Sequence, residues 1–347
     1  MTSRQKQRQL FIAAAAFVAI TLLAYGWHQH TIHNPNREHA MTDLTKNMKT
    51  LCLGRYLIDI PAQAKFSIGS TEIDSIKIEF VGVSPSELSF NEKIMKREAE
   101  LRASKHETEG TRLRESLSIN KDKQKLFVFR EDQSDIYLTW VETSMRSGND
   151  EWKISNDASE EYVSKTKNLV TQLANQLVSR QPDYIPNVSG ACIQNGFISG
   201  KTYERENFTA GIHLASPDIT LIIKSETSGP REPGQTMWDR VDRANKLAGE
   251  VYNIAFKPIR RAELTVDSRK GQEYVSVLPD KNIENFNAKA EVYGDATPKS
   301  PTFKVEMDMQ RPLKPNADDK TKTLTNEDAL ALWDAVIKSI RPRPGAF

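Results

Sequence analysis

Catalysis needs a nucleophile, a base or a set of metal ligands held close together, and this chain offers few. Its 347 residues include six histidines and two cysteines. His28, His30, His33 and His39 crowd into one polar stretch near the N-terminus, which leaves His106 and His213 for the rest. A Ser–His or Cys–His pair would have to use one of those two. His106 ends a charged helical stretch and His213 sits in a strand-like one, so both read as structural or surface residues. The four crowded histidines suggest a metal site, but a solvated spacer has no outer partners to fix ligand geometry. No G-x-S-x-G elbow, H-E-x-x-H helix or glycine-rich phosphate loop occurs. Asp59 and Asp74 have no evident carboxylate partner for acid–base work. No catalytic, cofactor-binding or metal-ligating residue is therefore assigned, and the chain reads as a binding protein without a cofactor rather than an enzyme.

The two cysteines, Cys52 and Cys192, open two similar passages, Leu51-Cys52-Leu53-Gly54-Arg55-Tyr56-Leu57-Ile58-Asp59-Ile60-Pro61 and Gly190-Ala191-Cys192-Ile193-Gln194-Asn195-Gly196-Phe197-Ile198. After each comes the same order: strand, charged helix, several strands, closing amphipathic helix. A repeat of this length implies two related domains rather than a solenoid. An even cysteine count in an exported chain allows one disulfide. If Cys52 and Cys192 bond, the closed loop of about 140 residues is worth about 5 kcal/mol at most in the chain-entropy model. The other reading is two buried thiols, each a small hydrophobe in its own strand.

Net charge is +2, too small a field to attract nucleic acid. Arg4, Lys6 and Arg8 precede the uncharged run Leu10–Trp27. As a helix at about 1.5 Å per residue, that run spans a bilayer's hydrocarbon core, and the positive flank places the N-terminus in the cytoplasm. Residues 1–28 therefore read as a cytoplasmic stub and transmembrane signal anchor, with the body in the periplasm. The alternative is a signal peptide cut after Ala24-Tyr25-Gly26, which would leave a soluble periplasmic protein. The length of the run favours the anchor.

Residues 29–48 form a flexible spacer, 49–183 an N-terminal domain, 184–189 a linker stiffened by proline, and 190–347 a C-terminal domain. In the first domain, Ile76, Ile78 and Phe80 alternate with Lys77 and Glu79 as in a half-buried strand. A charged helix follows over Asn91–His106, then strands at 112–119, 125–130, 135–144 and 151–154, then a helix over Ser159–Ser179. Gly54-Arg55 reads as close backbone approach plus a paired arginine rather than a recognition residue. In the second domain strands are expected at 208–215, 219–225, 261–267, 272–278, 287–293 and 302–309, with helices over Thr236–Tyr252 and from Thr325. Thr325 and Asp328 have capping-box spacing, and the proline-bound loop Gly229–Gly234 is a candidate partner contact. The expected fold is α+β: two related domains, each a mostly antiparallel sheet with helices on one face.

The passage Cys52–Pro61 resembles the opening of the N-terminal domain of immunity proteins for type VI secretion lipase effectors of the fourth class. Gly190–Gly200 with Phe208–Thr227 is similar to the start of that family's C-terminal domain. The resemblance covers about Lys49 to Arg343 and implies a periplasmic inhibitor whose two domains clamp the lid of a cognate phospholipase. Partner-binding residues are not carried over, because the matching motifs are structural. The competing readings are a membrane-tethered scaffold or peptidoglycan-binding module, and an envelope enzyme built around His106, His213 or a carboxylate pair inside a pocket.

Overall fold

A computed structural model describes residues 44–119, 124–215, 218–255, 257–280, 282–312 and 324–347. The anchor at 1–28, most of the spacer, the four crowded histidines, and Ser216-Pro217 lie outside the described residues. Among the described residues no helix is long and apolar enough to cross a membrane.

The first half opens with a hairpin, β1 (Met48–Leu53) and β2 (Tyr56–Pro61), followed by a second, β3 (Lys65–Ile73) and β4 (Ile76–Val83). Helix α1 (Glu87–Ala103) comes next, then the short pair β5 (Lys105–His106) and β6 (Gly110–Thr111). A four-strand meander follows: β7 (Leu113–Ile119), β8 (Gln124–Phe129), β9 (Leu138–Ser147) and β10 (Asp150–Ser159). Helix α2 (Val163–Gln176) and β11 (Leu177–Ser179) close the half. The second half repeats this. Hairpins β12 (Gly190–Ile193) with β13 (Gly196–Ser199) and β14 (Glu206–Ala215) with β15 (Asp218–Glu226) lead to α3 (Met237–Ala255). Then come β16 (Lys257–Val266), β17 (Arg269–Asp280), β18 (Ile283–Val292), β19 (Thr302–Pro312), α4 (Asn326–Ser339) and β20 (Arg341–Pro342).

The strand order shows how the repeat is used. Twelve strands form one antiparallel sheet in the order β16-β17-β18-β19-β15-β14-β3-β4-β10-β9-β8-β7. Read outward from the β14–β3 pair, each half gives the same succession: hairpin, last meander strand, then the meander in reverse. The halves are thus related by a local twofold through that pair. The sequence suggested two separate sheets; instead, β14 and β3 pair antiparallel across the boundary, with Glu206 opposite Ile73 and His213 opposite Lys65. The opening hairpins also have matching partners, in the small sheets β1-β2-β20 and β11-β13-β12.

The expectation of helices on one face is corrected. Successive strand residues point to opposite faces, so β8 divides into Leu126 and Val128 on one side and Phe127 and Phe129 on the other. The first pair shares a cluster with Val170 and Leu173 of α2, the second with Leu101 of α1. The second half divides alike. Trp333 of α4 donates its indole N–H to Glu273 Oε2 at 2.8 Å, while the backbone N–H of Trp238 in α3 meets Gln272 Oε1 at 3.1 Å. Glu273 and Gln272 are neighbours and so face opposite ways. Helices α2 and α4, with both small sheets, cover an inner face; α1 and α3 sit at the two ends of the outer face.

The junction between halves is tied at several points. Cys52 and Cys192 are bonded, with Cα atoms 5.8 Å apart. Equivalent residues of two domains meet in this way when they lie near the twofold relating them. Gly54 and Cys192 exchange backbone hydrogen bonds of 2.9 and 2.7 Å. Gly54 has φ +56°, and a Cβ there would lie 2.4 Å from the Phe208 ring, so both conformation and space require glycine. Buried Arg55 forms a bidentate pair with buried Glu206 of the other half, with contacts of 2.8 Å. Its guanidinium also donates to the carbonyls of Lys201 and Ala346, so the pair is fully bonded. Arg343 donates to the carbonyls of Pro186, Val188 and Gly190. Burial holds its pKa down at about 10, and the Arg55 and Arg180 charges act in the same direction.

Candidate partner-binding cradle

Among the described residues, the outer face between α1 and α3 has no helix over it. Cross-strand pairing identifies the residues that line it. From Glu72 opposite Lys77 and Asn207, the face runs through Ser67, Gly211 and Ile222 to Glu306 and Lys289. A second row holds Lys65, His213, Thr220, Asp308 and Asn287. Ser67, Gly69, Ser70, Thr209, Gly211 and Thr220 keep the middle low. An added Cβ at Gly69 or Gly211 would meet nothing closer than 3.8 Å. A low polar floor between two raised helices is a cradle.

The walls are fastened alike in both halves. Ser86 caps α1 by accepting from the Ser89 N–H. Lys93 and Arg97 of α1 then reach down to Glu151 and Glu142 at 2.9 and 3.1 Å. On the other side Arg240 of α3 reaches Glu291 at 2.5 Å, and Arg261 pairs with Asp242 beneath Trp238. In each wall a buried glutamate on the sheet fixes a half-exposed cation on the helix. The carboxylates lie underneath and the cationic tips face the solvent.

Most floor acids are paired within the chain. Glu79 sits between Lys77 and Lys153 at 2.6 and 2.9 Å, and hydrogen bonds from both hold its carboxyl below the ordinary range. Glu306 pairs with Lys289 and Glu226 with Lys304. Asp308 differs: desolvation against the sheet raises its pKa, and Glu306 adds to the shift while Lys289 opposes it.

The residues first searched for chemistry do not converge. His106 is buried at the end of the small β5–β6 sheet, between the Asp135 carbonyl at 3.1 Å and the Glu109 N–H at 3.2 Å. His213 is exposed on the cradle floor, 3.7 Å from Asp218. Asp59 pairs with Arg341, and Asp74 accepts from the Arg205 N–H. Among the described residues no cluster of three or more His, Cys, Asp or Glu side chains could hold a metal. Arg55 is the paired arginine that its sequence context suggested. The Gly229–Gly234 loop leads into α3 at the end of one wall, where Arg243 donates to the Gly234 carbonyl. The cradle itself was not read from the sequence, because β3 was missed and the two sheets were not joined.

The doubled α+β scaffold with one face open among its described residues defines the architecture to which known proteins are matched. The N-terminal domain model of Tle cognate immunity protein 4 matches residues 49–190, and the C-terminal domain model of the same family matches 184–345. The chain belongs to this family of immunity proteins against type VI secretion lipase effectors, and it is not an enzyme. Its fold is similar to that of the apo immunity protein TplEi from Pseudomonas aeruginosa, with 22% identity and TM-score 0.73 over 86% of this chain and 98% of that one. The crystal structure of a Tle4-Tli4 complex contains a similar chain, at 21% identity and TM-score 0.73 over 87% and 99%. TplEi complexed with an "L" peptide matches at 21% and 0.68 over 86% and 99%. No curated protein sequence matches the chain.

Proposed function

We propose that this protein protects its cell by seating the lid region of a cognate type VI lipase effector in the outer-face cradle. The observation that carries the reading is the sheet face between α1 and α3, which no described helix covers, while α2 and α4 pack on the other face. Similar chains occur in a Tle4-Tli4 complex and with a bound peptide, which supports a polypeptide occupant. Inhibition is conformational: binding the closed lid draws the enzyme's population away from the lipid-admitting state. A standard interface of about 1,600 Å² in total suits tight inhibition, and a cradle several strands wide supplies such an area.

The site of action in this reading is the periplasm, where the effector arrives. The run Leu10–Trp27 holds the body at the inner membrane, beside the lipid under attack. The test is phospholipase activity of the cognate type VI lipase effector from the producing strain, with and without excess purified protein. Stoichiometric inhibition supports the reading, and undiminished activity rejects it.

A further inference from the structure

Alongside α1 the cradle floor deepens into a groove of about 390 Å³, lined by Val81, Phe90, Ile94 and Trp152 with Lys93, Arg97 and Lys153 among its edges. Val81 and Val83 are 60% and 58% exposed. A single exposed valine is ordinary, but these two share one face of β4 beside an apolar groove. Counted from the first buried isoleucine of each strand, Ile76 in β4 and Ile219 in β15, the second half has Lys224 and Glu226 at the same places. Glu226 there is paired with Lys304. The second half therefore has a charged floor where the first leaves apolar surface open.

The charges around the groove have a fixed arrangement. Glu151 and Glu142 lie buried beneath it, while Lys93 and Arg97 above them are 55% and 38% exposed. Lys153 is held at 2.9 Å by Glu79 and is also partly exposed. An incoming chain meets ammonium and guanidinium groups at the rim and hydrocarbon between them.

We propose that this groove takes an acidic–apolar segment of the partner protein: an aliphatic or aromatic side chain against Val81 and Ile94, over the buried Phe90, with carboxylates on either side facing Lys93, Arg97 and Lys153. The proposal rests on the cradle reading and adds the chemistry of its occupant. The rim cations are already oriented by their glutamates, so they lose little freedom on binding, and they disfavour a basic segment by like-charge repulsion.

Two arms test it with the purified protein. In the first, the probe is a short fluorescein-labelled peptide alternating leucine and glutamate, compared by anisotropy with its leucine–lysine counterpart. The glutamate peptide binds roughly tenfold or more tightly, and added salt weakens it, as expected for charge pairing. Val81→Asp weakens it by roughly tenfold. Leu88→Asp, the same kind of change at an exposed site on α1 outside the groove lining, leaves it unchanged. Equal binding of the two peptides, or unaltered binding by Val81→Asp, overturns the proposal. The salt series on unmutated protein decides the matter even if Val81→Asp misfolds. In the second arm the cognate lipase effector of the producing strain is the ligand. Inhibition by the unmodified protein together with a negative peptide result removes the groove chemistry and leaves the cradle reading standing. Failure to inhibit that lipase removes the reading itself.

Discussion

The two halves of this molecule share a plan and differ where the plan leaves freedom. Their inner faces are packed by corresponding helices, α2 and α4, and their opening hairpins meet at corresponding cysteines. Their wall helices are both fastened by a buried glutamate under a cation. The differences lie mainly on the outer face and at the rims. The first half has exposed valines and a groove where the second has Lys224 and the Lys304–Glu226 pair. It alone has the β5–β6 pair, which braces the loop before β9 through the His106 contact to Asp135. Shared features maintain the scaffold, and the unshared ones are free to recognise a particular partner.

The largest expected effect comes from separating the halves. Replacing both cysteines by serine lowers stability by up to about 5 kcal/mol if chain entropy dominates, measured by urea unfolding under oxidising conditions. An unchanged midpoint would mean that the β3–β14 pairing already restrains the halves. Glu206→Ala strands a buried guanidinium and costs about 3–5 kcal/mol, and because the sheet is continuous it lowers one shared transition. Two separated transitions would show that the halves fold independently despite the joined sheet.

Making the first half resemble the second tests recognition. Val81→Lys with Val83→Glu weakens lipase binding by roughly tenfold to a hundredfold, about 1.4–2.8 kcal/mol, with little change in melting temperature. Calorimetric titration measures this directly.

Acid should affect the halves unequally. Hydrogen bonds from Lys and Arg partners lower the carboxyls of Glu79, Glu98, Glu109 and Glu160, all in the first half. In the second half Asp239 is lowered by Thr236 and Asp242 by Arg261, while Asp308 is raised. A lowered carboxyl contributes stability that is fully present above its unfolded pKa, near 4, and is lost as pH falls through the folded value. Below about pH 4, amide exchange therefore rises in β7–β10 before β16–β19. The smallest effect is at Asp308, where the raised pKa marks a charge that folding disfavours. Asp308→Asn raises neutral-pH stability only slightly, because solvent screens this exposed carboxylate, visible as a small increase in melting temperature.

Much of the scaffold was legible because periodicity reports burial. The alternation at Ile76, Ile78 and Phe80 marked β4, and the capping box at Thr325 and Asp328 is present as both side-chain bonds. Helix α1 begins at Glu87, earlier than expected, with Ser86 as its cap, Phe90 buried in its first turn and Leu88 facing solvent. Strand β3 was missed because a bulge opposite Phe208–Ala210 interrupts its alternation at Gly69 and Ser70. Without β3 there was no edge for β14 to join, and without that junction no continuous floor. The disulfide remained open at the sequence level because matching positions meet only near a twofold, and a repeat in sequence does not specify its axis.

The most direct test is photo-crosslinking of the complex with the cognate lipase effector, placing the reactive side chain singly at Ser67 and Thr220 on the cradle floor and at Ser164 on the exposed side of α2. The account predicts crosslinks to the lipase lid from Ser67 and Thr220 and none from Ser164. Crosslinks from Ser164 with silent floor positions would place the partner on the opposite face and contradict it.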